Sequence, residues 1–277
     1  MELVIRRARR GDKPDVLAAV RTIWGGNDRI PDVFDRWVTH RTGPFFVAES
    51  AGRVVGMGKL TVVSRGEAWL EGGRVAPRWR RKGIATAIIA HRIAYARDRG
   101  FRVLRFSTGS ENTPIHRAAR QFGFSRIARL QRHEARAAPG SPPARGTRSQ
   151  QGAVLRRVGP LVQRGHGWEW REITSQDVRT AIARGRVFVS DSSVSAAAVL
   201  GDPYDGSLMV VAAGGRDRPL ADLLRSLRAE ARRRALDDVS FYASNATEGR
   251  AARSAGFTRP WSGEAYLFEK RIKRRSP

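Results

Sequence analysis

One eight-residue pattern occurs twice in this 277-residue chain. Arg117-Ala118-Ala119-Arg120-Gln121-Phe122-Gly123-Phe124 returns 133 positions later as Arg250-Ala251-Ala252-Arg253-Ser254-Ala255-Gly256-Phe257, with six of the eight residues identical. Asn112 and Asn245 keep the same offset. Upstream the offset becomes 136, which matches Gly83 with Pro219 and the run at Val103 with that at Val239. Agreement in order and spacing reads as an internal duplication, so the chain is expected to fold as two related domains rather than one large one. Between the copies, Arg136–Gly152 holds three Pro and three Gly but no Leu, Ile, Val or aromatic residue. Such a stretch buries too little to offset the entropy of ordering it, and it reads as a linker or long surface loop. The expected division is therefore residues 1–135, a linker at 136–152, and residues 153–277.

The first half alternates element types. Pro14–Arg21 and Pro31–His40 read as helices, and Phe45–Glu49, Val54–Ser64 and Ala68–Val75 as strands of a meander, with Ala51-Gly52 turning between the first two. Ile84–Arg99 carries apolar residues at three- and four-residue steps and is stopped by Gly100, the pattern of an amphipathic helix. A strand at Val103–Ser107, a helix at Pro114–Phe122 and a strand at Ser125–Arg132 follow. The class is α/β (α+β).

Composition removes several chemistries. The chain has no cysteine, which excludes disulfides, thiolate metal sites, Fe–S clusters and a Cys acyl-enzyme; no metal site is expected. No apolar run reaches the ~18 residues of a membrane span, and Met1–Gly11 lacks the apolar core of a signal peptide, so a soluble, cytoplasmic protein is expected. The formal charge is +26 and the pI about 11.7. Of 52 basic residues 47 are Arg, with 27 basic against 12 acidic in residues 1–135 and 22 against 14 in 153–277. This is either a compositional preference for Arg spread over solvated faces or a surface that meets a polyanion such as nucleic acid. Trp168-Glu169-Trp170 and the basic run Lys270–Arg275 are fragments compatible with the second reading; they equally suit a half-buried strand and a solvated tail.

The segment richest in chemistry is Val75-Ala-Pro-Arg-Trp-Arg80-Arg81-Lys82-Gly83-Ile84-Ala85-Thr86. A strand ends, a basic turn follows, and a long helix starts at a glycine. Free backbone N–H groups and the positive end of the helix dipole then meet three full positive charges, an arrangement suited to a pyrophosphate. Glycine at the entrance keeps a Cβ from holding the ligand off the amides. The segment lacks the Gly-Lys-Ser/Thr of a Walker loop and is not a dinucleotide fingerprint.

This ordered set (Val75-x-Pro-x-x-Arg80-x-x-Gly83-x-Ala85, then a helix, a strand, Asn112 and Gly123-Phe124) resembles a GNAT-type N-acetyltransferase over residues ~45–135. The resemblance implies two GNAT-like domains, each a central mixed, mostly antiparallel sheet flanked by helices. It implies acetyl-CoA as acyl donor, its pyrophosphate on the amides of Arg81, Lys82, Gly83, Ile84, Ala85 and Thr86, and its pantetheine arm beside Val75 and Asn112. The plainer readings are sheet core for Val75, a helix N-cap for Asn112 and helix surface for Thr86. The second copy has Arg216-Asp217-Arg218-Pro219, with Pro in place of the Gly and a carboxylate where phosphate would sit, so it looks like a degenerate acetyltransferase domain. Doubled acetyltransferases are similar in architecture, and the intact loop puts the chemistry in residues 1–135.

The implied reaction is direct attack of an amine on the thioester, which needs a base for the amine and an acid for the thiolate. Glu71 is the first candidate base, since alternation along its strand sets Glu71, Gly73 and Val75 on one face; Glu67 and Glu111 are rivals. The family's usual Tyr acid falls on Ala119 here, and on Ala252 in the second copy, which leaves His116, one turn earlier, as a substitute. Tyr95 reads as helix core. The acceptor is an unidentified amine. Alternatives are an acceptor borne by tRNA or a ribosomal particle, and a non-catalytic acyl-CoA-binding regulatory module. A monomer or a dimer fits the sequence equally.

Overall fold

The computed structural model describes residues 2–40, 43–165 and 167–272, the side chain of Trp24 excepted; residues 273–275 of the basic run at 270–275 lie outside them. Among the described residues, eight α-helices and fourteen strands fall into two compact units built from interleaved segments. The first comprises Met1–Phe106, Pro114–Ser125 and Phe268–Pro277; the second comprises Ser107–Thr113 and Arg126–Leu267. Among the described residues no helix is long and apolar enough to cross a membrane.

In the first unit β1 (Val4–Arg7), β2 (Phe45–Ser50), β3 (Arg53–Ser64), β4 (Glu67–Val75) and β5 (Val103–Gly109) lie side by side in that order. The first four are antiparallel and β4 runs parallel to β5. The β2–β3 hairpin turns on Ala51 and Gly52, both at positive φ, as a two-residue hairpin loop with the twist of the strands requires. Helices α1 (Lys13–Val20) and α2 (Ile30–Thr39) present Val16, Ala19 and Val20, and Ile30, Val33, Phe34 and Trp37, to one core. Phe34 and Trp37 meet Phe45 edge-on at centroid distances of 5.9 and 5.2 Å. Helix α3 (Ile84–Asp98) lies close against β3 because Gly56 and Gly58 have no side chains: a Cβ on either would fall 2.9 Å from Ile84, Ile88 or Arg92. Helix α4 (Thr113–Gln121) supplies the buried Ala119.

The ladder between β3 and β4 slips twice, between Met57 and Lys59 and again between Val62 and Ser64. Lys59 faces Glu71 but Met57 faces Arg74, so β4 holds one residue more than β3 in that interval. The extra residue is a bulge at Gly72-Gly73, where Gly72 takes φ +62° and the Trp37 ring lies where a Cβ would be. Strict alternation, which the sequence suggests, is thereby broken. Glu71 shares the face of Lys59, and Val75 pairs with Gly56 on the opposite face. Before it reaches the bulge β4 has already parted from β5: Glu67–Trp69 pair with Val103–Arg105 and the ladder then ends.

The second unit orders β6 (Ser125–Arg136), β7 (Ala144–Arg145), β10 (Val187–Val189), β11 (Ala196–Leu200), β12 (Ser207–Gly215) and β13 (Asp238–Ala243) as β6-β13-β12-β11-β10-β7. Helices α5 (Gln151–Arg157), α6 (Ser175–Ala183), α7 (Asp217–Arg233) and α8 (Ala246–Ser254), with the small pair β8 (Leu161–Gln163) and β9 (Trp170–Glu172), complete it. Strand β14 (Ala265–Arg271) gives its first three residues to this unit and the rest to the first. β12 and β13 are parallel and pair over four residues, Ser207–Val210 with Asp238–Phe241, before separating. The grammar of the first unit is thus repeated, down to a parallel pair that opens. Within 136–152 the chain pairs Ala144 and Arg145 with Val189 and Phe188, then forms a single 3₁₀ turn at Arg148–Gln150.

A contrast between two left-handed glycines tests the bulge. Gly72→Ala adds strain and an overlap with Trp37 and should cost about 2–5 kcal/mol in denaturant unfolding. Gly83→Ala adds strain only, because nothing lies within 4 Å of its Cβ, and should cost ~1–2 kcal/mol. Equal losses would contradict the packing described.

Candidate active site

The segment after β4 is held at its start and open at its end. The Ala76 amide donates to the Val55 carbonyl at 2.9 Å, a single 3₁₀ turn covers Pro77–Trp79, and the Trp79 amide donates to the Ala76 carbonyl at 2.8 Å. Arg81 and Gly83 then take φ +62° and +77°, which swings the chain into the first turn of α3. No side chain caps that helix. Its first N–H groups therefore face outward, with the helix dipole adding positive charge. Arg80, Arg81, Lys82 and Gly83 are exposed, and Ala85 and Thr86 exposed and half-buried. The Ile84 side chain is in the core, 1% exposed, so Ile84 offers only its backbone. Lys82 rests its ammonium 4.9 Å from the Trp79 ring, and Trp79 packs against the cluster of Ala48, Val55, Ile84 and Ile88. The space that a Cβ on Gly83 would enter is empty, the shape expected where a phosphate must reach the amides. The residues present fit a diphosphate group.

At the bulge the structure places side chains that sequence reasoning missed. Glu71 accepts from the Thr61 hydroxyl at 2.6 Å and from the Arg29 guanidinium, and its side chain is 14% exposed. Opposite it, Lys59 is 1% exposed and donates to the carbonyls of Gly43 at 2.7 Å and Leu60 at 3.3 Å. Burial lowers the Lys59 pKa to about 8, with the Glu71 charge opposing. From α3, the buried Arg92 donates to the carbonyls of Lys59 at 3.1 Å and Glu71 at 3.3 Å, so its guanidinium ties the two strands at the bulge. Burial lowers its pKa to about 10, again against Glu71. The sequence did carry a signal: Arg92 continues the Ile84–Ile88 stripe, where an apolar residue belongs.

His116 lies on α4 with its ring 5.6 Å from that of Phe268, beside the Phe106–Phe124 and Phe106–Phe268 contacts of the first unit. Ala119, on the same helix, is buried at 2% exposure. Glu67 is held by the buried Arg105, which also binds Glu269. Asn112 and Glu111 belong to the second unit, and the Asn112 amide donates to the Thr108 hydroxyl at 2.9 Å. Glu71, Val75, Arg80–Thr86 and His116 all belong to the first unit, with Glu71 and Val75 on opposite faces of their sheet.

The family model described as Acetyltransferase (GNAT) family matches residues 14–124. That match, over about two fifths of the chain, is to a GNAT acetyltransferase domain. A histidine N-acetyltransferase of Scomber australasicus is 32% identical over 79 residues, which are 28% of this chain and 23% of that protein. The chain thus spans less than a quarter of the length of that curated relative. Among solved structures, a GCN5-related N-acetyltransferase from Sphaerobacter thermophilus superposes with TM-score 0.61 at 16% identity, covering 98% of this chain and 96% of the other. A tandem GNAT protein from the clavulanic acid biosynthesis pathway covers 99% of this chain and 100% of its own, with TM-score 0.54 and 16% identity. At those identities the likeness is one of fold, and the fold is GNAT.

At the matching positions the second unit has helix in place of a loop. β12 ends at Gly215 and α7 begins at Asp217, so the positions that match Arg81–Gly83 are already helical. Pro219 sits in the first turn of α7, where its missing N–H breaks no helical bond, and Asp217 is paired with Arg250 at 3.0 Å. In the second copy Asn245 does cap its helix, accepting from the Glu248 amide at 3.0 Å. Trp168 and Trp170 belong to this unit's packing, Trp168 donating to the Tyr242 hydroxyl at 2.9 Å and Trp170 meeting its ring edge-on.

The buried Lys59 gives the acetyltransferase domain a measurable pH signature. Lys59 releases its proton near pH 8 when folded but near 10.5 when unfolded. Across that window the folded state binds fewer protons, so stability rises with pH. Relative to Lys59→Met, the native chain should gain ~2 kcal/mol of unfolding free energy between pH 8 and 10. Parallel pH profiles would show that Lys59 is not buried as described.

Proposed function

We propose that the chain moves an acetyl group from acetyl-CoA to an amine, with residues 1–135 as the catalytic half and 153–277 as a degenerate copy that binds no CoA. The observation that carries this is the open row of amides at the start of α3, with Gly83 facing empty space and Arg80, Arg81 and Lys82 around it. Amides of Arg81–Thr86 hold the pyrophosphate, and the backbone at Val75 pairs with the pantetheine arm. Bound acetyl-CoA supplies an activated acyl group with a thiolate as leaving group.

The chain's own residues manage protons and charge. An amine with a pKa near ~10 is protonated at neutral pH and must lose a proton before it attacks. Glu71 takes that proton, directly or through a water, from its place on β4; the Arg29 and Thr61 contacts fix the carboxylate for that task. The attacking nitrogen forms the amide bond as the carbon–sulfur bond breaks. Backbone N–H groups along the opened stretch of β4 stabilise the oxyanion. His116 returns a proton to the thiolate, since Ala119 offers none. The acceptor class most in keeping with the relatives is an amino acid with a free amino group, histidine among them; the reading rests on a match of 79 residues.

Thiol release from acetyl-CoA should be measured with a panel of amino acids and small amines, L-histidine included. At least one should accept the acetyl group, and Glu71→Gln should lower kcat/KM by ~10²–10⁴-fold at neutral pH with acetyl-CoA affinity retained. Full activity in Glu71→Gln removes Glu71 from the role, and failure of every amine with acetyl-CoA still bound favours the non-catalytic module.

A further inference from the structure

A second cavity opens in the first unit, at the far end of α3 from the phosphate loop. It encloses about 360 Å³ among the end of β1, the end of α2, the start of β2, the end of β3 and the last turn of α3. Tyr95 and Arg99 stand 12 and 16 residues beyond Gly83, so at 1.5 Å per residue the cavity lies about 18–24 Å along the helix from the cradle. Trp37 is shared with the bulge at Gly72, but neither Glu71 nor any of Arg80–Thr86 lines the cavity.

Its walls are aromatic and its charge is of one sign. Trp37, Phe45, Tyr95 and Phe101 line it together with Arg7 and Arg99, and no carboxylate is among its lining residues. Arg99 lies 5.3 Å from the centroid of the Tyr95 ring, and Arg7 reaches the Tyr95 hydroxyl at 3.4 Å. Among the described residues neither guanidinium makes an ion pair. Elsewhere in the same unit Arg6 is neutralised by Asp12 and Glu49, Arg74 by Asp28 and Arg105 by Glu67 and Glu269, while the buried Arg92 is held by backbone carbonyls. Two uncompensated guanidinium groups held beside aromatic faces are a receptor for a planar anion. The fork of Arg matches a carboxylate, and the rings take the flat apolar remainder.

We infer that this cavity binds a small aromatic carboxylate, at a site separate from acetyl transfer. The size supports more than a single ring: a cavity of ~150 Å³ suffices for benzene, and this one is more than twice as large. The ring would lie against Trp37, Tyr95 and Phe101, and its carboxylate would face Arg7 and Arg99.

The test uses 2-naphthoate as probe and the full chain, titrated by calorimetry, with neutral 2-naphthamide as the matched control. Naphthoate should bind with one site per chain, at least tenfold more tightly than naphthamide, and with an affinity that falls as salt rises. The Arg7→Ala/Arg99→Ala double variant should bind naphthoate at least tenfold more weakly while its melting temperature stays close to that of the parent. Both arginines are exposed, so the fold should survive; Arg99→Gln alone, expected to lose binding at least threefold, serves where the double variant does not fold. Binding should persist in Glu71→Gln and in the presence of acetyl-CoA, which separates this site from the acetyl-transfer reading. No binding at millimolar naphthoate, equal binding of naphthamide, unchanged affinity in the arginine variants, or competition with acetyl-CoA would each overturn the inference.

Discussion

Everything that makes the first unit a site depends on how β4 leaves its neighbours. The strand pairs with β5 for three residues, slips against β3 at Gly72, and continues to Val75 unpaired on the β5 side. Two buried groups fix the slip. Trp37 fills the space a side chain on residue 72 would need, and Arg92 donates to the carbonyls of Lys59 and Glu71, one on each strand. Burying a guanidinium and an ammonium in a core is costly, and the depressed pKa values of Arg92 and Lys59 express that cost. The same helix that carries Arg92 carries the open amides at its start. One rigid element therefore sets both the phosphate loop and the strand beside it.

The loop was legible because its chemistry is local: a strand end, three basic residues, a glycine and a periodic helix follow one another in the chain. The meander and α3 were legible for the same reason, their boundaries agreeing with the sequence to within one or two residues. The bulge was not. Two adjacent glycines in a strand mark a place where alternation can fail, but only the pairing with β3 shows on which side it fails, and so Glu71 and Val75 exchange faces relative to a regular strand. Lys59 and Arg92 hide in apolar patterns, and their partners are backbone carbonyls that no sequence displays. β1 is short and half arginine, with little to separate it from a loop. The assignment of Phe268 onward to the first unit depends on contacts distant in sequence.

The duplication shows which features of the fold are separable. The second unit keeps the parallel pair that opens and a long helix after it, and Asn245 caps α8. What differs is the eight-residue turn between strand and helix: Ala76–Gly83 in the first unit shrinks to Arg216 alone in the second, and the helix starts early. Topology is held by burial, as in Leu220, Leu224 and Leu227, all fully inaccessible on α7. The loop before α3 rests on the Ala76 and Trp79 amide bonds, the left-handed Arg81 and Gly83 and an uncapped helix end, so a shorter turn leaves such a core in place.

Hydrogen exchange of the backbone amides, with and without acetyl-CoA, tests the central claim most directly. The account predicts slowed exchange at Arg81–Thr86 when acetyl-CoA is present, with no change at Asp217–Ala221. Protection in the first turn of α7, or none in the first turn of α3, would contradict it.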